Sequence, residues 1–215
     1  MREILKVTLS SCRSGVEPGT RNGVVIRQTV IAYWLIPSEP AHSFFQRIIN
    51  DLARGYDAPV FEPHVTVHVG ADQVDAAAKA LEKVASECDL VRQTPLRIDQ
   101  SDEFIKTLFV QFAMTAELGK INGIIRNAAN DSSRYELTPH LSLLYKNLPA
   151  ASRSDLAASI TLPFSEILFD SLQAIRCVSP TESRADVKAW RVVGKTVLSS
   201  FRAQRSVVEE SRGAT

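Results

Sequence analysis

Two short segments constrain this chain more than anything else in it. Pro63-His64-Val65-Thr66-Val67 and Pro139-His140-Leu141-Ser142-Leu143 share one pattern: proline, histidine, aliphatic, hydroxyl, aliphatic. The whole sequence holds four histidines, so the repeat uses half of them. Side chains alternate faces along a strand. Each segment therefore reads as a strand that sends its aliphatic residues into a core and holds an imidazole and a hydroxyl on the other face. A lone histidine on a strand is usually a surface residue or a satisfied core residue. The matched pair, rather than either copy, points to a site. If the two strands lie side by side about a pseudo-two-fold axis, His64, Thr66, His140 and Ser142 converge in one cleft.

That quartet suits the opening of a phosphodiester. One neutral imidazole accepts a proton from an attacking water, and the other, protonated, gives a proton to the leaving oxygen. Histidine serves both roles because it titrates near neutrality. The two hydroxyls can steady charge on the non-bridging oxygens. The scheme requires no metal and no cofactor. The two motifs are too alike for the sequence to say which histidine is the base.

The elements around the motifs predict a mixed α+β fold. Gln28 to Ile36 is β-branched and aromatic and reads as a strand ending at Pro37. A helical pattern starts at Ser38, carries Phe44, Phe45, Ile48, Ile49 and Leu52 at spacings of three and four, and ends at Gly55. Residues 60–69 read as the clearest strand, with Val65, Val67 and Val69 on one side and His64, Thr66 and His68 on the other. A helix is predicted from Val74 to Cys88, with Asp72 as its N-cap. Strands are expected over 96–98 and 105–112, a helix over 116–130, a strand over 140–145 and a helix over 152–160. One or two strands are expected over 164–178, and a last one over 190–198. Residues 11–23 are broken by Pro18 and three glycines and read as irregular. The organisation is thus an extension over 1–27, one domain over 28–198 and a polar tail over 199–215, which is expected to fray.

The motifs, with their surroundings, resemble the two-histidine (2H) phosphoesterase superfamily and, within it, the cyclic phosphodiesterase family of plants and fungi. Trp34-Leu35-Ile36-Pro37 is similar to the family's N-terminal strand. Phe61 to Val67 is similar to its first motif and Leu137 to Tyr145 to its second. Ile175-Arg176-Cys177 with a later Trp190 is similar to its closing strands. The resemblance implies a bilobal fold, with two pseudo-two-fold-related antiparallel sheets lining a central cleft and helices outside. It implies hydrolysis of nucleoside 2′,3′-cyclic phosphates to 2′-phosphates, and of ADP-ribose 1″,2″-cyclic phosphate, a by-product of tRNA splicing; an RNA-end-processing enzyme of the same superfamily, 2′–5′ ligase-like, and a non-catalytic nucleotide-binding module are the alternatives. It implies a site of His64, Thr66, His140 and Ser142, with Tyr145 as a substrate contact. Tyr145 stands at an odd offset from His140, so a bulge or the strand's end must turn it inward. Plant members carry cysteine pairs that have no counterpart here, so no disulfide is carried over.

Composition sets the partners. A formal net charge of +1 gives no footprint for a stable nucleic-acid partner, whereas a small nucleotide cyclic phosphate needs only a few donors. The three cysteines fit neither a zinc spacing nor a disulfide framework, which suits a reducing compartment and a cytoplasmic protein. The first residues are too acidic for a typical transit peptide, although import is left open. No apolar run is long enough to span a membrane, and a monomer is the default. Trp34 is placed either against a base or in the core. His68 is read as passive at the cleft rim, His42 as solvated, and Lys106 as a phosphate contact or a solvated lysine.

Overall fold

The chain winds β1 (Gln28–Pro37), α1 (Ala41–Tyr56), β2 (Val65–Ala71), α2 (Val74–Glu87), β3 (Val91–Gln93), β4 (Pro95–Gln100), β5 (Leu108–Phe112), α3 (Ala116–Ala128), β6 (His140–Leu144), α4 (Ala150–Ser159), β7 (Ile167–Ser179), α5 (Arg184–Lys188) and β8 (Arg191–Val197). The computed structural model describes residues 27–131, 133 and 135–200. The irregular lead-in expected over 11–23 and the tail from Phe201 fall outside the described residues.

The strands pair antiparallel in the order β3-β7-β1-β2-β6-β5-β4, with β8 also on β7. The two expected halves are both present. β7, β1 and β2, edged by β3 and β8, form one; β6, β5 and β4 form the other. They join where Val65 pairs with Leu141, the middle residues of the two motifs. Antiparallel strands are related by a local two-fold axis, so this pair sets the pseudo-symmetry of the molecule. The two sheets expected from the sequence therefore run into one eight-stranded sheet at the site itself.

One face of the sheet carries the main core. Ile31, Tyr33, Leu35, Val65, Val67, Leu141 and Leu143 pack with Phe45 of α1, Leu81 and Val84 of α2, and Leu118, Ile121 and Ile125 of α3. Each such buried aliphatic side chain stabilises the fold by roughly 1.5–3 kcal/mol. The helix stripes are those the spacing predicts, but the ends shift. α1 starts after Pro40 rather than at Ser38, and runs through Gly55 to a left-handed Asp57 at φ 48°. Asp72 does not cap α2; Gln73 holds that position without a side-chain bond. Asp72 instead accepts from Arg176 on β7, with Nη2 at 2.6 Å. Thr115 does cap α3, accepting from the Leu118 amide at 3.4 Å. The strand expected over 105–112 is split. Phe104–Lys106 forms a 3₁₀ turn, and the buried Thr107 after it exchanges hydrogen bonds with the Lys146 backbone before β5 begins.

Both motifs end in a β-bulge. On β2, Tyr33 pairs with His68 and Trp34 with Thr66, which leaves Val67 without a partner. On β6, Leu108 pairs with Leu144 and Phe109 with Ser142, which leaves Leu143 without one. An extra residue shifts the alternation by one. Positions beyond each bulge therefore change face. His68 and Leu144 turn to the helix side, and Val69 and Tyr145 turn to the cleft. This corrects the expected placement of His68 beside His64, and of Val69 beside Val65.

Candidate active site

Val65 and Leu141 point into the core, so the residues flanking them project from the opposite face. Because the strands run antiparallel, that register sets His64 toward Ser142 and Thr66 toward His140. All four line one cleft of about 260 Å³. The structure thus brings the sequence-predicted quartet together, along with Trp34 and Tyr145.

The two imidazoles are held in the same way. His64 Nδ1 lies 2.6 Å from the Glu62 carbonyl, and His140 Nδ1 lies 2.7 Å from the Thr138 carbonyl. A carbonyl only accepts, so each Nδ1 carries the proton and each neutral ring directs the Nε2 lone pair away from its anchor. Burial pushes His64 down to about 3, against the opposing pull of the Glu62 carbonyl, with the nearby His140 adding to the depression. Burial likewise pushes His140 down to about 4, and the positive charge of Lys106 adds to it. At neutral pH both rings are neutral. An anion seated between them favours the imidazolium form and raises these values.

Each half also places an aromatic ring opposite its hydroxyl. Trp34 pairs across from Thr66 and stacks on the His64 ring, centroids 3.7 Å apart at 12°. Its face is taken by the histidine, so Trp34 backs the site rather than offering that face to a base. Phe109 pairs across from Ser142 and meets His140 edge to face at 5.5 Å. The ring of Phe109 also carries the ammonium of Lys106, 4.7 Å from its centroid.

The hydroxyls differ. Ser142 Oγ donates to the Ile105 carbonyl at 2.8 Å. Thr66 Oγ has no protein partner among the described residues, although the Thr66 carbonyl accepts from Tyr135 Oη at 3.3 Å. Tyr145, turned inward by the bulge, is buried and stacked on Phe61 at 3.8 Å. Burial holds its phenol protonated well above the usual range, with Ser142 as its hydrogen-bond neighbour.

His68 leaves the site. It is fully buried, with Nε2 2.7 Å from Asp131 Oδ2 and Nδ1 3.2 Å from Asn122 Nδ2. Asp131 also accepts from Ser133, so this cluster pins the segment before the second motif onto β2. His42, expected in solvent, is half-buried between Glu39 and Glu62, 3.7 Å from a carboxylate oxygen of each.

Sequence reasoning missed Tyr135 and Trp190 as parts of the wall, and Phe109 as the ring behind His140. Trp190 stands edge-on to Trp34 at 5.0 Å, and its buried Nε1–H has no acceptor among the described residues. Phe109 could have been found only with the β5–β6 register in hand. The rest of the wall is mostly apolar, with Val30, Ala32, Val69, Cys177 and Val178. Glu136 is its one carboxylate, and no lysine or arginine lines it among the described residues. No cluster of three or more His, Cys, Asp or Glu side chains is placed to hold a metal ion among the described residues.

Comparison with known proteins gives the family and the fold. Residues 29–198 match the family described as cyclic phosphodiesterase-like protein. A cyclic phosphodiesterase of Arabidopsis thaliana is 25% identical over 172 residues, covering 78% of this chain and 94% of that protein. Two solved structures share the fold. LigT of E. coli, complexed with 3′-AMP, has a TM-score of 0.50 at 13% identity over 79% of this chain and 98% of its own. TT0787 of Thermus thermophilus has a TM-score of 0.51 at 13% identity over 80% and 99%. With its two histidine–hydroxyl strands facing one cleft, the chain belongs to the cyclic phosphodiesterase-like family of enzymes, within the two-histidine phosphoesterase superfamily.

Proposed function

We propose that this protein hydrolyses nucleoside 2′,3′-cyclic phosphates to 2′-phosphates, and opens ADP-ribose 1″,2″-cyclic phosphate in the same way, as a monomer acting on free nucleotides in the cytoplasm. The observation that carries the reading is the pair of Nδ1-anchored imidazoles with their Nε2 atoms free, set across a two-fold from each other and each beside a hydroxyl. Water attacks phosphorus and gives its proton to one Nε2. The bond from phosphorus to the 3′ oxygen breaks, and that oxygen takes a proton from the other ring, which entered the step as an imidazolium after taking up a proton as the anion bound. Atoms and charge balance, and one proton has moved from one ring to the other. Thr66, Ser142 and the phenol of Tyr145 surround the non-bridging oxygens.

The two halves differ in a way that favours one assignment of roles. Lys106 places positive charge by His140 and supports its neutral form. The π face of Trp34 lies on His64 and supports a cation there. These two contacts favour His140 as the base and His64 as the acid, against the order set chiefly by burial, which depresses His64 to about 3 and His140 to about 4. A cleft wall without lysine or arginine among the described residues suits a small nucleotide better than an RNA backbone.

The test is purified protein with 2′,3′-cyclic AMP in EDTA, with products separated by chromatography. The expected product is 2′-AMP. Absence of turnover on both 2′,3′-cyclic AMP and ADP-ribose 1″,2″-cyclic phosphate would overturn the reading.

A further inference from the structure

Among the described residues, the cleft wall carries no lysine or arginine. A phosphodiester enters as an anion, and its transition state spreads further charge over the non-bridging oxygens, which needs fixed positive charge close by. The described lining residues supply none beyond what an imidazole gains on protonation, and Glu136 adds charge of the wrong sign. Just outside the wall stands Lys106. It ends the 3₁₀ turn Phe104–Lys106. Its neighbour Ile105 lines the cleft and accepts from Ser142. Its ammonium lies over Phe109, the residue directly across the ladder from Ser142 and therefore on the same face of the sheet. The ring holds the ammonium where its charge acts on His140. In the first half the counterpart ring, Trp34, has its face covered by His64 and cannot seat a lysine there.

We propose that Lys106 is a further substrate-contacting residue: from its seat on Phe109 it donates to a non-bridging oxygen of the phosphate bound between His140 and Ser142. The inference rests on the phosphodiesterase reading for the chemistry, but not for the binding of phosphate. Lysine serves phosphate as a point charge on a flexible stem. A cation–π seat worth about 0.5–1 kcal/mol at an exposed site is weak enough to leave.

The experiment compares the wild type with Lys106→Met and Lys106→Arg. Turnover of 2′,3′-cyclic AMP should fall about tenfold to a hundredfold in kcat/KM for Lys106→Met, and Lys106→Arg should recover most of it. In parallel, binding of inorganic phosphate is followed through the His140 imidazole resonances at several salt concentrations. The wild type should bind more weakly as salt rises, and Lys106→Met should bind more weakly at low salt with a flatter salt dependence. The proposal is overturned if Lys106→Met keeps both its phosphate affinity and its salt dependence, or if Lys106→Arg is as impaired as Lys106→Met. A wild type that hydrolyses no cyclic phosphate yet loses phosphate affinity in Lys106→Met would overturn the phosphodiesterase reading and leave this inference standing.

Discussion

The two halves of the site are built to one plan and furnished differently. In each, a histidine is anchored through Nδ1 to the carbonyl two residues before it, a hydroxyl follows, and a bulge closes the motif. In the first half the aromatic ring opposite the hydroxyl stacks on the histidine, and the hydroxyl has no partner among the described residues. In the second the corresponding ring meets the histidine edge-on and carries a lysine, and the hydroxyl is committed to a backbone carbonyl. Just past the bulge, the first half buries His68 against Asp131 where the second buries Leu144. The shared plan fixes where the reacting groups stand. Under the proposed mechanism, the furniture is what distinguishes one proton-transfer partner from the other.

The largest effects test what the halves share. His64→Gln and His140→Gln should each lower kcat on 2′,3′-cyclic AMP by about 10³-fold, within the range for a general acid or base. A variant that keeps a tenth of the wild-type rate would remove that histidine from the reaction. The hydroxyls should then separate the halves. Thr66→Val should cost about 10²-fold in kcat/KM and Ser142→Ala about tenfold, because Ser142 already donates its proton to Ile105. The reverse order would mean that Ser142 turns to the substrate and leaves that carbonyl.

Smaller shifts test the role assignment through pH. The base must be neutral, and removing a positive charge makes protonation easier. Lys106→Met should therefore raise the His140 pKa and move the acidic limb of the kcat/KM profile to higher pH. Trp34→Leu removes the face that supports a cation on His64, and should move the alkaline limb to lower pH. If Lys106→Met moves the alkaline limb instead, the two histidines exchange roles.

The smallest expected effect concerns stability alone. His68→Leu copies the second half into the first but takes one donor from the nearly buried Asp131 carboxylate, leaving it only the Ser133 amide and hydroxyl. It should cost about 2–3 kcal/mol in urea unfolding, and His68→Leu combined with Asp131→Ala should recover part of that. Equal stability of the single variant and the wild type would mean that Asp131 finds water or another donor once the histidine is gone.

Much of this could be read from the chain, for identifiable reasons. The motif pair was legible because a strand period of two sorts His64 and Thr66 from Val65, and His140 and Ser142 from Leu141, without any tertiary knowledge. The stripe Phe44, Phe45, Ile48, Ile49, Leu52 was legible for the same kind of reason, and Phe45 and Ile49 are indeed buried. What was not legible depended on partners distant in sequence. The Val67 bulge exists because β1 advances one residue while β2 advances two, and only that register sends His68 into the core. Phe109 looks like any strand phenylalanine until β5 is laid beside β6. Asp72 had the right chemistry and place to cap α2, and was drawn off by Arg176, 104 residues away.

The bulges also change how distance along the chain maps onto the substrate. Each motif is a rigid three-residue reading frame, followed by a one-residue frame shift. The fifth position after the histidine, Val69 in one half and Tyr145 in the other, comes back into the cleft beyond the reacting groups. Val69 sets its wall with a small apolar side chain, and Tyr145, packed on Phe61, sets the other with an aromatic phenol.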